Sequence, residues 1–207
     1  MNSFLTFRLI LPVYLFLFFI GGCASGPEEE RVPAELAFAE EAEAVQERPH
    51  LQVEPLSVEE IAAFRELTDR SVIDRVTRTE REWRELLTRA EYRILRNEGT
   101  ELPWRNAYNS ETREGIYYCR GCHHPLFSSE VKYDSRTGWP SFWEPLAKIS
   151  TDYREDRSFF MVRTEVICAR CDSHLGHVFD DGPEPTGLRY CMNSAAMIFV
   201  PQEVAAK

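Results

Sequence analysis

The sequence lacks a basic stripe of the kind that binds nucleic acid. It has 24 Lys and Arg against 34 Asp and Glu, which gives a formal net charge of −10 at pH 7. Most of the negative charge lies in residues 26–60, which carry eleven Asp/Glu and two Arg, and the rest of the chain is nearly neutral. Because nucleic-acid binding depends on clustered positive charge, this composition argues against nucleic acid as a partner.

The chain also lacks an apolar run long enough to cross a membrane. Its longest one, residues 9–20 behind Arg8, has twelve residues, whereas a bilayer-spanning helix needs about 20. That length is typical of a signal-peptide core. The next residues, 20–23 (Ile-Gly-Gly-Cys), resemble the processing box of bacterial lipoproteins. We therefore predict a lipoprotein signal peptide over 1–22 and acylation of Cys23, with an ordinary secretory signal or an uncleaved anchor as the alternatives.

Residues 23–56 contain few large apolar side chains and are rich in Glu, Ala and Pro. Such a segment cannot bury enough surface to offset its ordering entropy, and like charges keep it extended. We interpret it as a tether between a membrane and a folded domain, with an acidic partner-binding tail as the alternative. Because Ala24 follows the cysteine, we expect the chain to be lipid-anchored in the bacterial cell envelope, at the periplasmic face of the outer membrane.

Three capping-box patterns, Ser/Thr-x-x-Glu, predict short helices beyond the tether. They begin at Ser57, Thr79 and Thr88. The sequence predicts a helical extension over 57–76, a domain over 77–201 and a tail over 202–207. Whether the extension continues the tether or packs on the domain stays open.

Short segments rich in Tyr, Phe, Val and Ile follow residue 100, separated by Gly, Pro and Asp turns. The predicted strands cover 115–120, 158–167, 176–179, 188–193 and 195–200. This pattern predicts a mainly β domain of antiparallel strands with short N-terminal helices.

Four of the six cysteines form two C-x-x-C pairs about 45 residues apart. The pairs are Cys119 with Cys122 and Cys168 with Cys171. Four thiolates suit tetrahedral zinc and leave no open position, so we predict one structural Zn²⁺ per chain. Two disulfides are the alternative, because an exported chain meets an oxidising compartment. Gly121 is expected to supply the turn dihedral, and the neighbouring residues 123–124 (His-His) are interpreted as surface residues.

Cys191 is the one remaining cysteine. A buried, inert strand cysteine is the simplest interpretation. Arg189 and Asn193, however, share its strand face, because strand side chains alternate with period two. A nearby Arg or imidazolium lowers the pKa of a nucleophilic cysteine, so this grouping indicates a reactive thiol.

Two further segments contain residue types that are common in active sites. Residues 138–143 (Gly-Trp-Pro-Ser-Phe-Trp) hold three aromatic side chains, and residues 174–179 (His-Leu-Gly-His-Val-Phe) hold two histidines. The alternatives are that the aromatic segment forms a corner of the core and that the histidines are ordinary polar residues near the metal-binding loops. Together with Cys191, the segments offer an aromatic wall for a small apolar group and a histidine that protonates a poor leaving oxygen.

The chain from about 79 to 201 resembles the B-type methionine sulfoxide reductases, which act on the R epimer of the sulfoxide. The matching motifs are Glu82-Trp83-Arg84, Tyr92-x-x-Leu95-Arg96, Gly99-Thr100-Glu101, both C-x-x-C pairs, 138–142, 174–179, 181–183, 185–187 and 189–194. The resemblance implies two antiparallel sheets, a zinc site remote from the nucleophile, and substrates that are proteins or peptides containing methionine sulfoxide.

The resemblance also implies a role for each matching residue. The Cys191 thiolate attacks the sulfoxide sulfur, expels methionine and is left as a sulfenic acid. His177, with His174 beside it, helps to protonate the sulfoxide oxygen. Trp139 forms the wall of a pocket for the S-methyl group, with Phe179 nearby.

Three polar residues complete the implied site. Arg189 and Asn193 orient and activate the thiolate, and Asp181 belongs to the same polar set. Many family members carry a resolving cysteine where this chain has Thr137. We therefore expect an external, thioredoxin-like thiol to regenerate the enzyme directly. A non-catalytic zinc-binding interaction module and a membrane-tethered thiol redox sensor are the alternative functions.

Overall fold

The structure, a computed structural model, describes residues 52–158 and 161–202. The predictions for the signal peptide, for Cys23 and for the tether up to residue 51 lie outside the described residues. Within the described ranges, no helix has both the length and the apolar character needed to cross a membrane.

Short helices lie at the N-terminal end of the described chain. They are α1 (Val58–Arg65), α2 (Glu80–Leu86) and α3 (Arg89–Leu95), and a short 3-10 helix covers Arg70–Val72. All three α-helices begin with complete capping boxes, as predicted. The Ser or Thr hydroxyl accepts from the backbone N–H of the Glu three residues on, and that Glu accepts from the cap's own N–H.

The strands form two antiparallel sheets, which confirms the predicted fold class. They are β1 (Gly115–Cys119), β2 (Pro125–Ser128), β3 (Lys132–Tyr133), β4 (Ser141–Phe142), β5 (Thr151–Asp156), β6 (Arg163–Cys168), β7 (His174–Phe179), β8 (Arg189–Met192) and β9 (Met197–Pro201). One sheet has the order β2-β1-β9, and the other has the order β3-β4-β8-β7-β6-β5. The second sheet places β8 between β4 and β7, and these three strands carry much of the candidate site.

Four strands of the structure were not predicted, namely β2, β3, β4 and β5, and among the predicted strands the largest difference lies at the β5–β6 hairpin. The predicted strand 158–167 begins at Arg163 instead, because the chain first turns back from β5. β5 itself was not predicted, since its sequence Thr-Asp-Tyr-Arg-Glu-Asp is polar. It is an edge strand whose central side chains are exposed.

The main core joins the two sheets through aromatic rings. Phe127 of β2 stacks on Phe142 of β4 with ring centroids 4.5 Å apart. Tyr117 of β1 meets the edge of Phe142 at 5.0 Å, and Phe127 also contacts Tyr190 of β8 at 5.8 Å. Such pairs contribute roughly 0.5–1.5 kcal/mol each beyond the area they bury, so they fix β4 and β8 firmly beneath the site.

A second apolar cluster answers the question that the sequence left open about the helical extension. Ile61 of α1 is buried with residues of the β domain, and residues on either side of it pack against the same cluster. The packed residue of the extension is Phe64, those of the predicted tether are Val53 and Leu56, and those of the domain are Ile116, Tyr118, Leu146 and Val200. The extension therefore packs on the domain, and the contacts begin as early as Val53, at the end of the segment predicted as a tether.

Candidate active site and metal site

Four cysteine sulfurs converge where the two sheets meet. Cys119 and Cys168 end β1 and β6, and Cys122 and Cys171 lie in the loops that follow. All four are buried free thiols whose sulfur atoms lie within 4.8 Å of one another. The Cys119–Cys171 and Cys122–Cys168 sulfurs are 3.7 Å and 3.5 Å apart. Zinc–sulfur bonds of about 2.3 Å place tetrahedral sulfurs about 3.8 Å apart, so this arrangement fits a metal ion bound by four thiolates.

The two loops repeat one backbone geometry. His123 and Asp172, each directly after the second cysteine of its pair, adopt φ values of 60° and 58°. Their N–H groups donate to the carbonyls of Cys119 and Cys168, at 2.8 Å and 3.0 Å. The prediction that Gly121 supplies the special dihedral is wrong, because the left-handed residue lies two positions later.

His124 is buried, which contradicts its interpretation as a surface residue. Its exposed fraction is 6%, its Nε2 lies 2.9 Å from the Ile149 carbonyl oxygen, and its ring meets the edge of Phe64. The imidazole therefore connects α1 to the loop before β5.

Cys191 lies at the centre of a row of three side chains across the larger sheet. In the antiparallel register it is directly opposite Ser141 of β4 on one side and His177 of β7 on the other. Directly opposed residues project to the same face of a sheet, with Cβ atoms about 5 Å apart. The thiol thus has a hydroxyl on one side and an imidazole on the other, and it is partly exposed.

A hydroxyl cluster adjoins the thiol on the β4 side. Thr137 Oγ1 is 4.0 Å from Cys191 Sγ, and Ser135 Oγ lies 2.8 Å from Thr137 Oγ1 and 2.7 Å from Ser141 Oγ. Burial raises the pKa of the Cys191 thiol above its ordinary value of 9.0, although Arg189, Thr137 and Ser141 act to lower it. The expectation of a lowered pKa is therefore wrong for the free protein, because loss of solvation outweighs the nearby guanidinium.

Arg189 lies two residues before the nucleophile candidate and is held by two partners. It donates to both carboxylate oxygens of Asp181, at 2.7 Å and 2.9 Å, and its guanidinium carbon lies 4.3 Å from the Phe179 ring centroid. This bidentate, stacked geometry fixes the positive charge close to the thiol.

Two histidine–carboxylate pairs lie at the β7 end of the row, and one of them includes His177 itself. His177 Nε2 is 2.8 Å from Asp156 Oδ2, and His174 Nδ1 is 2.7 Å from Glu165 Oε1. The two imidazole centroids are 5.4 Å apart. Sequence reasoning missed Asp156 and Glu165, since they reach the histidines only through the pairing of β5, β6 and β7.

These two pairs line a cleft of about 520 Å³. Burial lowers the pKa of His177, and the Asp156 carboxylate opposes that shift. His174 is 2% exposed, and its Nε2 has no hydrogen-bond partner among the residues that the structure describes. His177 is therefore the better placed of the two to exchange a proton with a molecule in the cleft.

Trp139 is connected to the end of β8 through Glu101. Its indole N–H donates to the Glu101 carbonyl at 3.2 Å, and the Glu101 carboxylate accepts from the N–H groups of Ser194 and Ala195 at 2.6 Å and 3.0 Å. The pocket wall expected from the sequence is thus fixed relative to the residues just beyond β8.

Asn193 lies one residue past the end of β8. Its side-chain oxygen accepts from the Glu101 N–H at 3.1 Å, and its amide donates to the Leu175 carbonyl at 3.1 Å. These bonds connect β7, β8 and the 99–101 segment. The predicted role of Asn193 in activating the thiolate stays a prediction.

The sequence matches known proteins across this region. Residues 87–201 match the family model described as the SelR domain. The chain is 50% identical over 135 residues to a protein of Hahella chejuensis named peptide methionine sulfoxide reductase MsrB, covering 65% of this chain and 97% of that relative. A protein of the same name from Pseudomonas entomophila is 50% identical over 131 residues, which covers 63% of this chain and 100% of that relative. Another, from Methanosarcina mazei, is 46% identical over 134 residues, which covers 65% of this chain and 96% of that relative.

Proposed function

This chain belongs to the SelR family and is a peptide-methionine (R)-S-oxide reductase, and we propose that Cys191 is the nucleophile through which it reduces its substrate. The observation that carries this assignment is the row formed by Ser141, Cys191 and His177. It places a partly exposed thiol beside a histidine that borders a cleft. The other four described cysteines are buried together in the metal site.

In the proposed reaction the Cys191 sulfur attacks the sulfur of the bound sulfoxide. The sulfoxide oxygen is transferred to the cysteine, which becomes a sulfenic acid, and the thioether of methionine leaves. Two electrons pass from the cysteine sulfur to the methionine sulfur. The proton that the Cys191 thiol gives up on forming the thiolate passes to His177, which returns it to the transferred oxygen. Arg189, fixed by Asp181, stabilises the thiolate against its burial.

His177 is the proposed proton donor to the sulfoxide oxygen. Its Nε2 is occupied by Asp156, so Nδ1 is the atom that delivers the proton. Glu165 and His174 form the neighbouring pair, and contact between the two rings supports the orientation of His177. Trp139 and Phe179 form the walls that receive the S-methyl group.

Regeneration is proposed to use an external thiol. Of the six cysteines, four converge at the metal site and one, Cys23, belongs to the proposed lipid anchor. The sulfenic acid of Cys191 therefore condenses with a thiol of a thioredoxin-like donor and releases water. A second donor thiol then cleaves the mixed disulfide and restores Cys191.

We further propose that the four-cysteine site holds Zn²⁺. A closed set of four thiolates suits zinc and leaves no position for substrate, so the ion stabilises the fold. Its ligands come from the last residues of β1 and β6 and from the loops that follow them, so the ion would connect the two sheets.

We also propose that the protein is anchored to a bacterial envelope membrane by lipid at Cys23. The support is the apolar run 9–20 followed by Ile-Gly-Gly-Cys, and the acidic, proline-containing segment behind it. A diacylated and N-acylated cysteine anchors stably where one chain would not. The outer membrane, facing the periplasm, is the proposed location.

Turnover of separate sulfoxide epimers tests the assignment of Cys191. With dithiothreitol as donor, the protein should reduce the R epimer and leave the S epimer unchanged. Cys191→Ser should lower the rate about 1000-fold or more while circular dichroism and metal content stay as in the wild type. A Cys191→Ser protein with ordinary turnover would contradict the assignment. A wild type without turnover would favour the interaction module or the thiol sensor.

A further inference from the structure

The row of side chains across the larger sheet continues beyond Ser141 to Tyr133. Tyr133 of β3 is directly opposite Ser141 of β4, which is itself directly opposite Cys191 of β8. Directly opposed residues project to the same face of a sheet, so the phenol and the thiol share one face. Neighbouring strands are about 5 Å apart, and only β4 separates β3 from β8, so the Tyr133 side chain is long enough to reach toward Cys191.

The Tyr133 hydroxyl is buried and has no hydrogen-bond partner among the residues that the structure describes. A buried hydroxyl without a partner costs free energy. Burial raises the pKa of the phenol, the Arg189 guanidinium lowers it, and Asp181 and Cys191 raise it. The hydroxyl therefore stays protonated and lies close enough to the nucleophile for its charge to be felt, so it is a hydrogen-bond donor available at this site.

A chain of hydroxyl groups reaches Cys191 from the same side. It runs from the Trp139 carbonyl through Ser141, Ser135 and Thr137, with successive oxygen–oxygen distances of 3.2, 2.7 and 2.8 Å, and Thr137 Oγ1 is 4.0 Å from Cys191 Sγ. Each hydroxyl has one proton to donate and two lone pairs to accept with, so the direction of the chain can reverse. When the hydroxyls donate toward Trp139, Thr137 accepts from the thiol. When they donate the other way, Thr137 has a proton to donate at Cys191.

The nucleophile therefore has different groups on its two sides. His177 and the cleft lie on the β7 side, and the hydroxyl groups of Tyr133 and Thr137 lie on the β4 side. A thiol attacks the sulfur of a sulfenic acid in line with the S–O bond that breaks, from the side opposite to the oxygen. An oxygen held on the β4 side thus leaves the cleft side of the sulfur open to an incoming thiol.

We propose that the Tyr133 and Thr137 hydroxyls form a binding site for the oxygen of the Cys191 sulfenic acid and assist its departure when an external thiol regenerates the enzyme. The proposal rests on the proposed function of Cys191 and adds two residues that act in its regeneration. Both hydroxyls donate to the oxygen, and so they stabilise the negative charge that develops on it as the S–O bond breaks.

The step balances with the external thiol as the reductant. The donor thiolate forms a bond to the Cys191 sulfur, the S–O bond breaks, and the oxygen leaves as water with the proton that the donor thiol gave up. The donor sulfur is oxidised and the Cys191 sulfur is reduced. Tyr133 and Thr137 keep their own protons and are ready for the next turnover.

A single turnover separates the two half-reactions. Each protein is mixed with the R-sulfoxide of N-acetyl-methionine without reductant, and release of N-acetyl-methionine is followed. The sulfenic acid is then mixed with the coloured thiol thionitrobenzoate, whose colour is lost as the mixed disulfide forms. Tyr133→Phe and Thr137→Val remove a hydroxyl and keep the shape of the side chain. Each should slow the loss of colour roughly tenfold and release N-acetyl-methionine at the wild-type rate.

Two controls match these variants. Thr137→Ser keeps the hydroxyl that Thr137→Val removes, so it should lose colour as fast as the wild type. Tyr153→Phe removes a phenol hydroxyl that lies 2.9 Å from the Tyr190 hydroxyl, on a side chain that is 44% exposed. Because Tyr190 projects to the face of β8 opposite to Cys191, this variant should also match the wild type.

Three results would count against these assignments. Wild-type loss of colour in both Tyr133→Phe and Thr137→Val would overturn the proposal. An equal slowing of both half-reactions would also overturn it, because the hydroxyls would then only support the sheet. A wild type that releases no N-acetyl-methionine would instead refute the proposed function of Cys191.

Discussion

Cys191 and His177 are directly opposed residues of the neighbouring antiparallel strands β8 and β7. Their proximity depends on the register of two strands that lie about 5 Å apart, and a slip of one residue would turn one of the two side chains to the other face. The residue before His177 secures this approach. A Cβ built on Gly176 would lie 2.2 Å from the Cys191 carbonyl oxygen, so the backbones come this close only because position 176 has no side chain.

Gly176→Ala should therefore separate β7 from β8. We expect a loss of about 1–3 kcal/mol in the free energy of unfolding, measured by urea denaturation, and a larger loss of kcat than stability alone explains. Gly187→Ala is the matched control. A Cβ there meets nothing within 4 Å, but its φ of 71° is unfavourable for alanine, so it should lose about 1 kcal/mol and keep its kcat. Equal kcat values in the two variants would show that the close spacing of β7 and β8 does not matter for turnover.

The pair formed by His177 and Asp156 predicts a pH dependence. The Asp156 carboxylate raises the pKa of His177, although burial lowers it overall. Asp156→Asn removes the carboxylate charge, so the pKa of His177 falls further and its protonated form is lost at lower pH. The alkaline limb of the kcat profile should shift to lower pH, and activity at neutral pH should fall roughly tenfold.

The control for this prediction is Glu155→Gln, which alters the adjacent side chain, 55% exposed and paired with Arg157. Its profile should match the wild type. If Asp156→Asn lowers kcat equally at every pH, Asp156 supports the hairpin and does not set the protonation of His177.

The N-terminal extension should slow the release of the metal. Arg75 donates to the Ala169 carbonyl at 2.7 Å and pairs with Asp172, and the Val76 N–H donates to the Arg170 carbonyl at 2.9 Å. These three interactions hold the second cysteine loop in place. Arg75→Ala should accelerate zinc transfer to a colorimetric chelator about fivefold, because it removes bonds contributing about 1 kcal/mol. The Arg81 side chain is 84% exposed on α2, so Arg81→Ala should release zinc at the wild-type rate. Equal rates for the two variants would show that Arg75 does not retain the metal.

Local patterns in the sequence predict the helix starts and the metal site well. A capping box is complete within four residues, so Ser57, Thr79 and Thr88 specify their helices without help from the rest of the chain. A C-x-x-C pair likewise defines half of a metal site by itself. The convergence of four sulfurs then required only that the two loops meet.

The features that the sequence did not reveal all depend on contacts between distant residues. Asp156 and His177 are 21 positions apart and meet only after β5, β6 and β7 have paired in register. The burial that raises the pKa of Cys191 likewise comes from the packing of several segments.

The last prediction concerns regeneration of the nucleophile. Thr137 Oγ1 lies 4.0 Å from Cys191 Sγ, so residue 137 stands where a second thiol could meet the oxidised cysteine, but a threonine cannot form a disulfide. The other thiols of the described chain are buried together, and using one of them would break the proposed zinc site. One turnover without reductant should therefore leave a sulfenic acid on Cys191 that a dimedone reagent traps, with zinc still bound.

Thr137→Cys should convert this chemistry into an internal one. After one turnover its new thiol should condense with the Cys191 sulfenic acid, release water and form a disulfide. Mass mapping should find that disulfide, and dimedone labelling should fall about tenfold, because the internal thiol reacts at a high effective concentration. Thr137→Ser introduces a side chain of the same shape as cysteine but without a thiol, so dimedone labelling of Cys191 in this variant should match the wild type. A disulfide that includes Cys191 in the oxidised wild type, or release of zinc with each turnover, would instead show that a metal ligand resolves the sulfenic acid.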